Sequence, residues 1–229
     1  MFADVICLAN ARKRSERCVA CVHAESGAWM RLVSRAEHGE LRYAQRNLGD
    51  DGEPQKLDLI RVQVAGRKAT ASQPENWLIE NAAWRLLERP ARSSVLQVLT
   101  KTVRRDELLF GSASDRICAG SFEKRPALAS LALVVPKEVR WLFETIGSKQ
   151  RARVKFRLGR CVYNLSVTDP PVEEKLKSLA NGVHRSEEIA LRDERLLFCI
   201  SLGEMFTDGN CYKLVAGVVE LPGFAEGYS

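Results

Sequence analysis

The densest run of one charge in the chain is Arg151-Ala152-Arg153-Val154-Lys155-Phe156-Arg157-Leu158. Strict alternation of this kind marks a half-buried strand. It sets Arg151, Arg153, Lys155 and Arg157 on one face and Ala152, Val154, Phe156 and Leu158 on the other. Alternate side chains on a strand stand roughly 6.7 Å apart. A row of cations at that spacing can track a phosphate backbone. It can equally be a solvated face that keeps strand edges from aggregating. Lys149 and Arg160 extend the row. A second basic group, Arg12-Lys13-Arg14, follows the first apolar run. Arg31 and Trp29 come near it if residues 17–34 form a hairpin. Cations beside an aromatic suit stacking and phosphate contact, although Trp29 suits a core better, and Arg14 and Arg17 suit a solvated turn. The candidate nucleic-acid contacts are therefore Arg151, Arg153, Lys155, Arg157, Arg160, Arg12, Lys13 and Arg31.

Other residue types that could carry chemistry are scattered. Cys18-Val19-Ala20-Cys21 with His23 has a metal-like spacing, but a structural zinc site needs four ligands and no second Cys-x-x-Cys exists. On a strand Cys18 and Cys21 also point to opposite faces. No metal site is expected. There is no Gly-x-Ser-x-Gly elbow, phosphate loop or His-Glu-x-x-His. His38 and His184 sit alone in polar stretches. Asp169-Pro170 is explained by a helix start, with Asp capping the free amides. No catalytic residue and no cofactor is expected. Asn10, Asn76, Asp169 and Lys213, with Lys13, are the residues that would line a ligand pocket if one exists.

The elements that position these groups are mostly strands. Ala3–Ala9 is an apolar strand ending in a basic turn at 10–15. Arg17–Ala24 and Ala28–Ser34 pair across Glu25-Ser26-Gly27. Leu57–Ala65 is a further strand, after a polar loop at 35–56. In the middle, Ser93–Thr102 has helical spacing, and a second short helix is expected at Asp106–Phe110. Strands return at 128–135 and 138–143. Residues 151–158 and 161–168 then form a hairpin turning at Gly159-Arg160, and Asp169-Pro170 opens a helix to about Leu179. Residues 181–192 read as a polar loop, and 196–201 and 212–221 as closing strands. Tyr163 falls in phase with Leu165 and Val167, so it belongs in a core. The fold expected is mainly β with some α, as two small barrels: residues 1–90, a partly helical connector at 91–126, and residues 127–229.

Composition narrows the class further. The 229 residues are 45% hydrophobic and 28% charged, which excludes a disordered tail, a collagen-like rod and a long coiled coil. The net charge is +6, too mild to demand a polyanion. Its placement says more: residues 140–160 hold seven basic residues against Glu144 alone. The apolar run 127–135 is too short to span a bilayer, which takes about 20 residues. The first residues lack the pattern of a secretory signal. A cytoplasmic protein without a membrane partner is expected. The odd count of seven cysteines, most in apolar strand-like runs, argues for free thiols.

Four blocks taken together resemble a known family. They are Ile6-Cys7-Leu8-Ala9-Asn10-Ala11-Arg12-Lys13 with Arg17-Cys18-Val19-Ala20 and Trp29-Met30-Arg31-Leu32-Val33-Ser34; Gln73-Pro74-Glu75-Asn76-Trp77; Tyr163-Asn164-Leu165-Ser166-Val167-Thr168-Asp169-Pro170; and Ser201-Leu202-Gly203-Glu204 with Cys211-Tyr212-Lys213-Leu214-Val215-Ala216. In that order they resemble the dual OB-containing domain (DuOB) of prokaryotic conflict and anti-phage systems. The resemblance implies two tandem OB-like barrels and a role in binding nucleic acid or nucleotides, with no established enzymatic activity. Where the family pattern has glycine after Cys-Val-Ala, this chain has Cys21, which argues against close backbone approach there. The expected function is a non-catalytic module for single-stranded DNA or RNA, serving as a sensor or adaptor in defence. The alternatives are a protein-interaction module, with a partner encoded nearby, and a nucleotide or small-ligand binder.

Overall fold

The computed structural model describes residues 1–193 and 196–221. The first strand, β1 (Phe2–Lys13), is apolar on both faces. Ala3, Val5 and Cys7 enter one core, and Ile6, Leu8, Ala9 and Ala11 enter another. A strand covered on both faces reads as an unbroken apolar run rather than an alternation. It pairs with β2 (Glu16–His23), which pairs with β3 (Trp29–Val33). A short helix α1 (Tyr43–Arg46) precedes β4 (Leu59–Arg67), and β5 (Asn76–Ile79) and β6 (Arg85–Glu88) follow. The sheet order is β1-β2-β3-β5-β4, and β4 pairs back with β1 to close a five-stranded barrel. Only β3 and β5 run parallel. This is an OB-like Greek-key barrel.

Helix α2 (Ser93–Thr102) matches its expected span. After it come β7 (Arg116–Cys118), α3 (Ser121–Lys124), β8 (Leu131–Val134), β9 (Lys137–Ile146), β10 (Lys149–Leu158), β11 (Cys161–Val167), α4 (Pro170–Lys177), β12 (Gly182–His184), β13 (Leu196–Met205) and β14 (Asn210–Glu220). The second sheet contains the order β9-β10-β11-β14-β13, again with the third and fifth strands parallel. It repeats the first barrel strand for strand. Among the described residues no β9–β13 ladder closes it, because β13 pairs with β8 instead. Side chains fill that seam: the Trp141 and Phe198 rings meet edge to face at 5.7 Å. Tyr163 is buried here, stacked on Phe156 at 5.7 Å.

The two barrels share a third core. Ile6, Leu8, Ala20 and Val22 of the first pack on Leu131, Leu133, Leu197 and Cys199 of the second, with Leu99 of α2 between. Strands β1 and β14 cross at Gly217. A side chain there would lie 2.1 Å from the Leu8 carbonyl oxygen.

Several local expectations are corrected. The basic residues at 10–13 are strand, not turn, because Arg12 and Lys13 pair with Arg17 and Glu16. Residues 106–110 form no helix. Leu109 is buried there and its amide donates to the Tyr163 hydroxyl, so packing overrides helical spacing. The stretch at 181–192 holds β12 and a 3₁₀ turn at Ser186–Ile189, since Trp141 Nε1 donates to Ser186. Asp169 starts α4, but its carboxylate does not cap the helix. It accepts from Lys56 Nζ at 2.7 Å and from the Val218 amide at 2.6 Å.

Candidate nucleic-acid interface

The basic alternation folds as read. β10 buries Val154, Phe156 and Leu158 and turns its cations outward. In OB barrels the face of the second and third strands, with the loops joining strands one to two and four to five, binds oligonucleotides. In the second barrel those strands are β10 and β11, so the cationic row lies on that face.

The cations there are not equivalent. Lys155 and Arg151 are exposed, and no carboxylate lies within ion-pair distance of either among the described residues. Arg151 stands across the sheet from Glu144, and Lys155 from Arg140. Arg153 is held down by Asn164 Oδ1 at 2.9 Å and Ser166 Oγ at 3.1 Å, with Asp115 at 3.9 Å. Arg157 pairs with Glu138 at 2.5 Å, which lowers the Glu138 carboxyl below its ordinary range. Arg160 is exposed in the turn. Glu138, Arg140, Lys155, Phe156, Arg157 and Val162 line an open cleft of about 370 Å³.

The face continues past β11. Arg153 reaches toward Asp115, which also holds Arg116 Nε at 2.9 Å. The Arg116 guanidinium lies 5.1 Å from the Tyr212 ring centre and donates to its hydroxyl. The Tyr212 hydroxyl donates to Asp208, which lowers the Asp208 carboxyl and raises the phenol. Phe206 meets Tyr212 edge to face at 6.1 Å. These groups sit at the β13–β14 turn, the loop between the fourth and fifth strands.

The remaining candidates are elsewhere. Arg31 is 1% exposed. It donates to Asn76 Oδ1, Ser130 Oγ, the Ser130 carbonyl, Ser201 Oγ and the Leu202 carbonyl. It is a clamp between the barrels. Asn76 belongs to that clamp and also donates to Gln73. Arg12 forms a two-point pair with Glu173 of α4. Lys13 pairs with Glu204 at 2.9 Å and donates to the His38 carbonyl. Asn10 donates to Glu53 and the Pro54 carbonyl. Lys213 is buried under the Tyr163 ring and donates to the Ser112 and Ser114 carbonyls at 2.6 Å each. Burial lowers its ammonium to about 8. Asn10, Asn76, Asp169 and Lys213 share no hydrogen bond or ion pair, and each is committed to partners of its own. Cys21 faces the first core, with its thiol on the Met30 carbonyl, while Cys18 is half-buried.

The two barrels differ in what covers the corresponding face. In the first barrel the outward residues of β2 and β3 are Ala20, Val22, Trp29 and Arg31, and all four lie in the contact with the second barrel. In the second barrel no described residue covers the equivalent surface, and Lys155 and Asn164 are exposed there.

The family model for the dual OB-containing domain matches residues 3–218. The chain belongs to this family. Searches of curated proteins and of solved structures found no match. DuOB membership accounts for the repeated strand order, and domains containing OB folds bind nucleic acids or proteins in general. Among the described residues of this DuOB chain, no helix is long and apolar enough to cross a membrane.

Nothing in the sequence marks Arg116, Phe206 and Tyr212 as a group, because they come together across 96 residues. Parity offers a trace: Cys211 and Lys213 are buried, which turns Tyr212 outward. Arg140 lies in the dense basic segment, but only pairing with β10 sets it beside Lys155.

Proposed function

We propose that this DuOB chain is a non-catalytic module that binds single-stranded DNA or RNA on the outer face of β10 and β11, one strand per chain. The observation that carries this reading is the pair of exposed cations Arg151 and Lys155 on the second strand of the open barrel, neither in an ion pair among the described residues. Arg140 adds a third positive charge across the ladder. The N-terminal barrel serves as a scaffold, since its equivalent face is covered. Asp169 supports a non-catalytic role, because both carboxylate oxygens are held by structural donors. The wider setting we propose is a cytoplasmic sensor or adaptor of a prokaryotic defence system, as the family resemblance suggests.

The test is the salt dependence of binding. Three cations on phosphates give a log–log slope of about −2.1 on single strands, or roughly an 18-fold loss between about 50 and 200 mM salt. With Arg151→Ala and Lys155→Ala together, the slope should fall to about −0.7, or roughly 2.6-fold. Fluorescence anisotropy with a labelled oligothymidylate reads both. An unchanged slope would remove β10 from the interface. No binding to DNA or RNA of any kind, alongside retention of a protein partner at high salt, would transfer the face to protein recognition.

A further inference from the structure

We propose that Phe206 and Tyr212 form a platform that stacks unpaired nucleobases, so that the two ends of the open face divide the ligand: phosphates on Arg151 and Lys155, bases on the rings. This rests on the nucleic-acid reading of the same face and names what that reading leaves open, the part of the ligand that the β13–β14 turn takes.

Phe206 is 64% exposed, although Phe143, Phe156, Tyr163, Phe198 and Trp141 are all buried. It is held in place rather than left loose. Its amide donates to the Asn210 carbonyl at 2.8 Å, and its carbonyl accepts from Gly209 at 2.9 Å. The tip of the turn is tied down by the Ala119 amide on the Gly209 carbonyl. Its ring meets Tyr212 at an interplanar angle of 87°, so the two rings form a fixed corner. Tyr212 is fixed in turn by Asp208 and by Arg116 over its face. An ordered, exposed aromatic corner of this kind is the element on which single strands stack.

The charges decide which part of the ligand goes there. Arg116 is already matched by Asp115, and Asp208 sits against Tyr212. Glu204 precedes the turn. A phosphate would meet neutralised cations and carboxylates, whereas the uncharged face of a base would not. Lys155 and Arg151 offer the reverse, exposed cations with neither an ion pair nor an exposed ring beside them among the described residues. At Tyr212 the strand beside β14 is β7, through Arg116, and Asp115 just before it lies 3.9 Å from Arg153 of β10. The two stations are thus two to three strand widths apart, roughly 10–14 Å. A duplex keeps its base faces stacked internally and can use only the phosphate end.

The experiment compares three probes of one length: oligothymidylate, an abasic sugar-phosphate strand and a duplex. Stacking one base should make the wild type bind oligothymidylate roughly 5- to 100-fold tighter than the abasic strand, with the duplex near the abasic value. Phe206→Ala should reduce that preference at least fivefold while leaving abasic affinity and its salt slope unchanged, and Phe206→Trp should keep it. Equal wild-type affinity for the thymidylate and abasic strands overturns the platform while leaving the phosphate face standing. So does a preference undiminished in Phe206→Ala. If the wild type binds none of the three, the nucleic-acid reading itself falls and the platform with it.

Discussion

Replacing Arg31 with Met separates a clamp from a ligand contact. Met fills most of the same space but removes a buried cation and five donated bonds. The cost follows from what each acceptor has left. The Ser130 carbonyl still accepts from the Leu202 amide, and the Leu202 carbonyl still accepts from Gln73. Ser130 Oγ keeps its bond to Glu75. Asn76 Oδ1 and Ser201 Oγ lose the partner that the structure gives them, at about 1–3 kcal/mol each. Glu75 is buried at the same joint, accepting from the Ser130 and Leu131 amides. It would be left without the nearby positive charge. Glu75 and Arg31 form no direct ion pair and meet through Ser130 Oγ, so the loss follows from the two stranded acceptors, together about 2–6 kcal/mol. Urea denaturation measures it. A shared core joins the barrels, so the wild type should unfold in one transition, and the variant at a much lower midpoint. Adding Glu75→Gln should recover part of the loss, since it removes the stranded charge. A loss below about 1 kcal/mol, together with oligonucleotide affinity weakened tenfold or more, would refute the clamp and return Arg31 to the ligand.

Two further outcomes test the architecture. Gly217→Ala should destabilise by more than about 3 kcal/mol, because the added methyl meets the Leu8 carbonyl and Ala9 backbone rather than a movable side chain; a thermal shift of only a degree or two would mean that β1 and β14 do not cross so closely. Lys213 should show in the pH dependence. Its ammonium is lowered from 10.5 to about 8, so between those values the unfolded chain binds more protons and stability rises with pH, by up to about 3 kcal/mol. The Cys7 thiol, pushed up to about 12 by burial, acts in the opposite direction above pH 9. Subtracting the urea stability of Lys213→Met isolates the lysine: the difference should move in favour of the wild type from pH 8 to 10, and a flat difference would rule out a depressed lysine.

Local signals in the sequence survive where one face decides the outcome. Arg151–Leu158 alternates because one face meets Trp141 and Phe198 and the other meets solvent, so parity alone gives strand, core and charge. Ser93–Thr102 was legible for the same reason, with one stripe turned to the inter-barrel core. Residues with a partner on each side were not legible. Arg31 sits among strand residues and beside a tryptophan, which reads as a nucleic-acid contact. Its acceptors Ser130 and Ser201 lie 99 and 170 residues away, and no local pattern points to them. Asp169 before Pro170 is a sound cap signal, but a buried lysine partner and the Val218 amide outcompete the helix amides for its oxygens. Leu109 shows the same override in a loop.

The repeated strand order raises the question of why one barrel should bind and not both. The answer lies in the faces of equivalent strands. On β2 and β3 the outward positions are Ala20, Val22, Trp29 and Arg31, and small apolar groups there let β8 and β13 approach closely. Arg31 supplies the polar links where the apolar contact ends. On β10 and β11 the outward positions are Arg153, Lys155, Asn164 and Ser166. Covering those would strip water from a lysine that has no ion-pair partner among the described residues, at several kcal/mol, and no described segment does so. The first face is therefore occupied by the protein itself, and ligand would have to displace a shared core to reach it. The second is open and charged. Binding should saturate at one strand per chain, and loss of the β10 cations should leave no residual site in the N-terminal barrel. A second, salt-sensitive site surviving in the Arg151→Ala/Lys155→Ala variant would show that the covered face opens in solution.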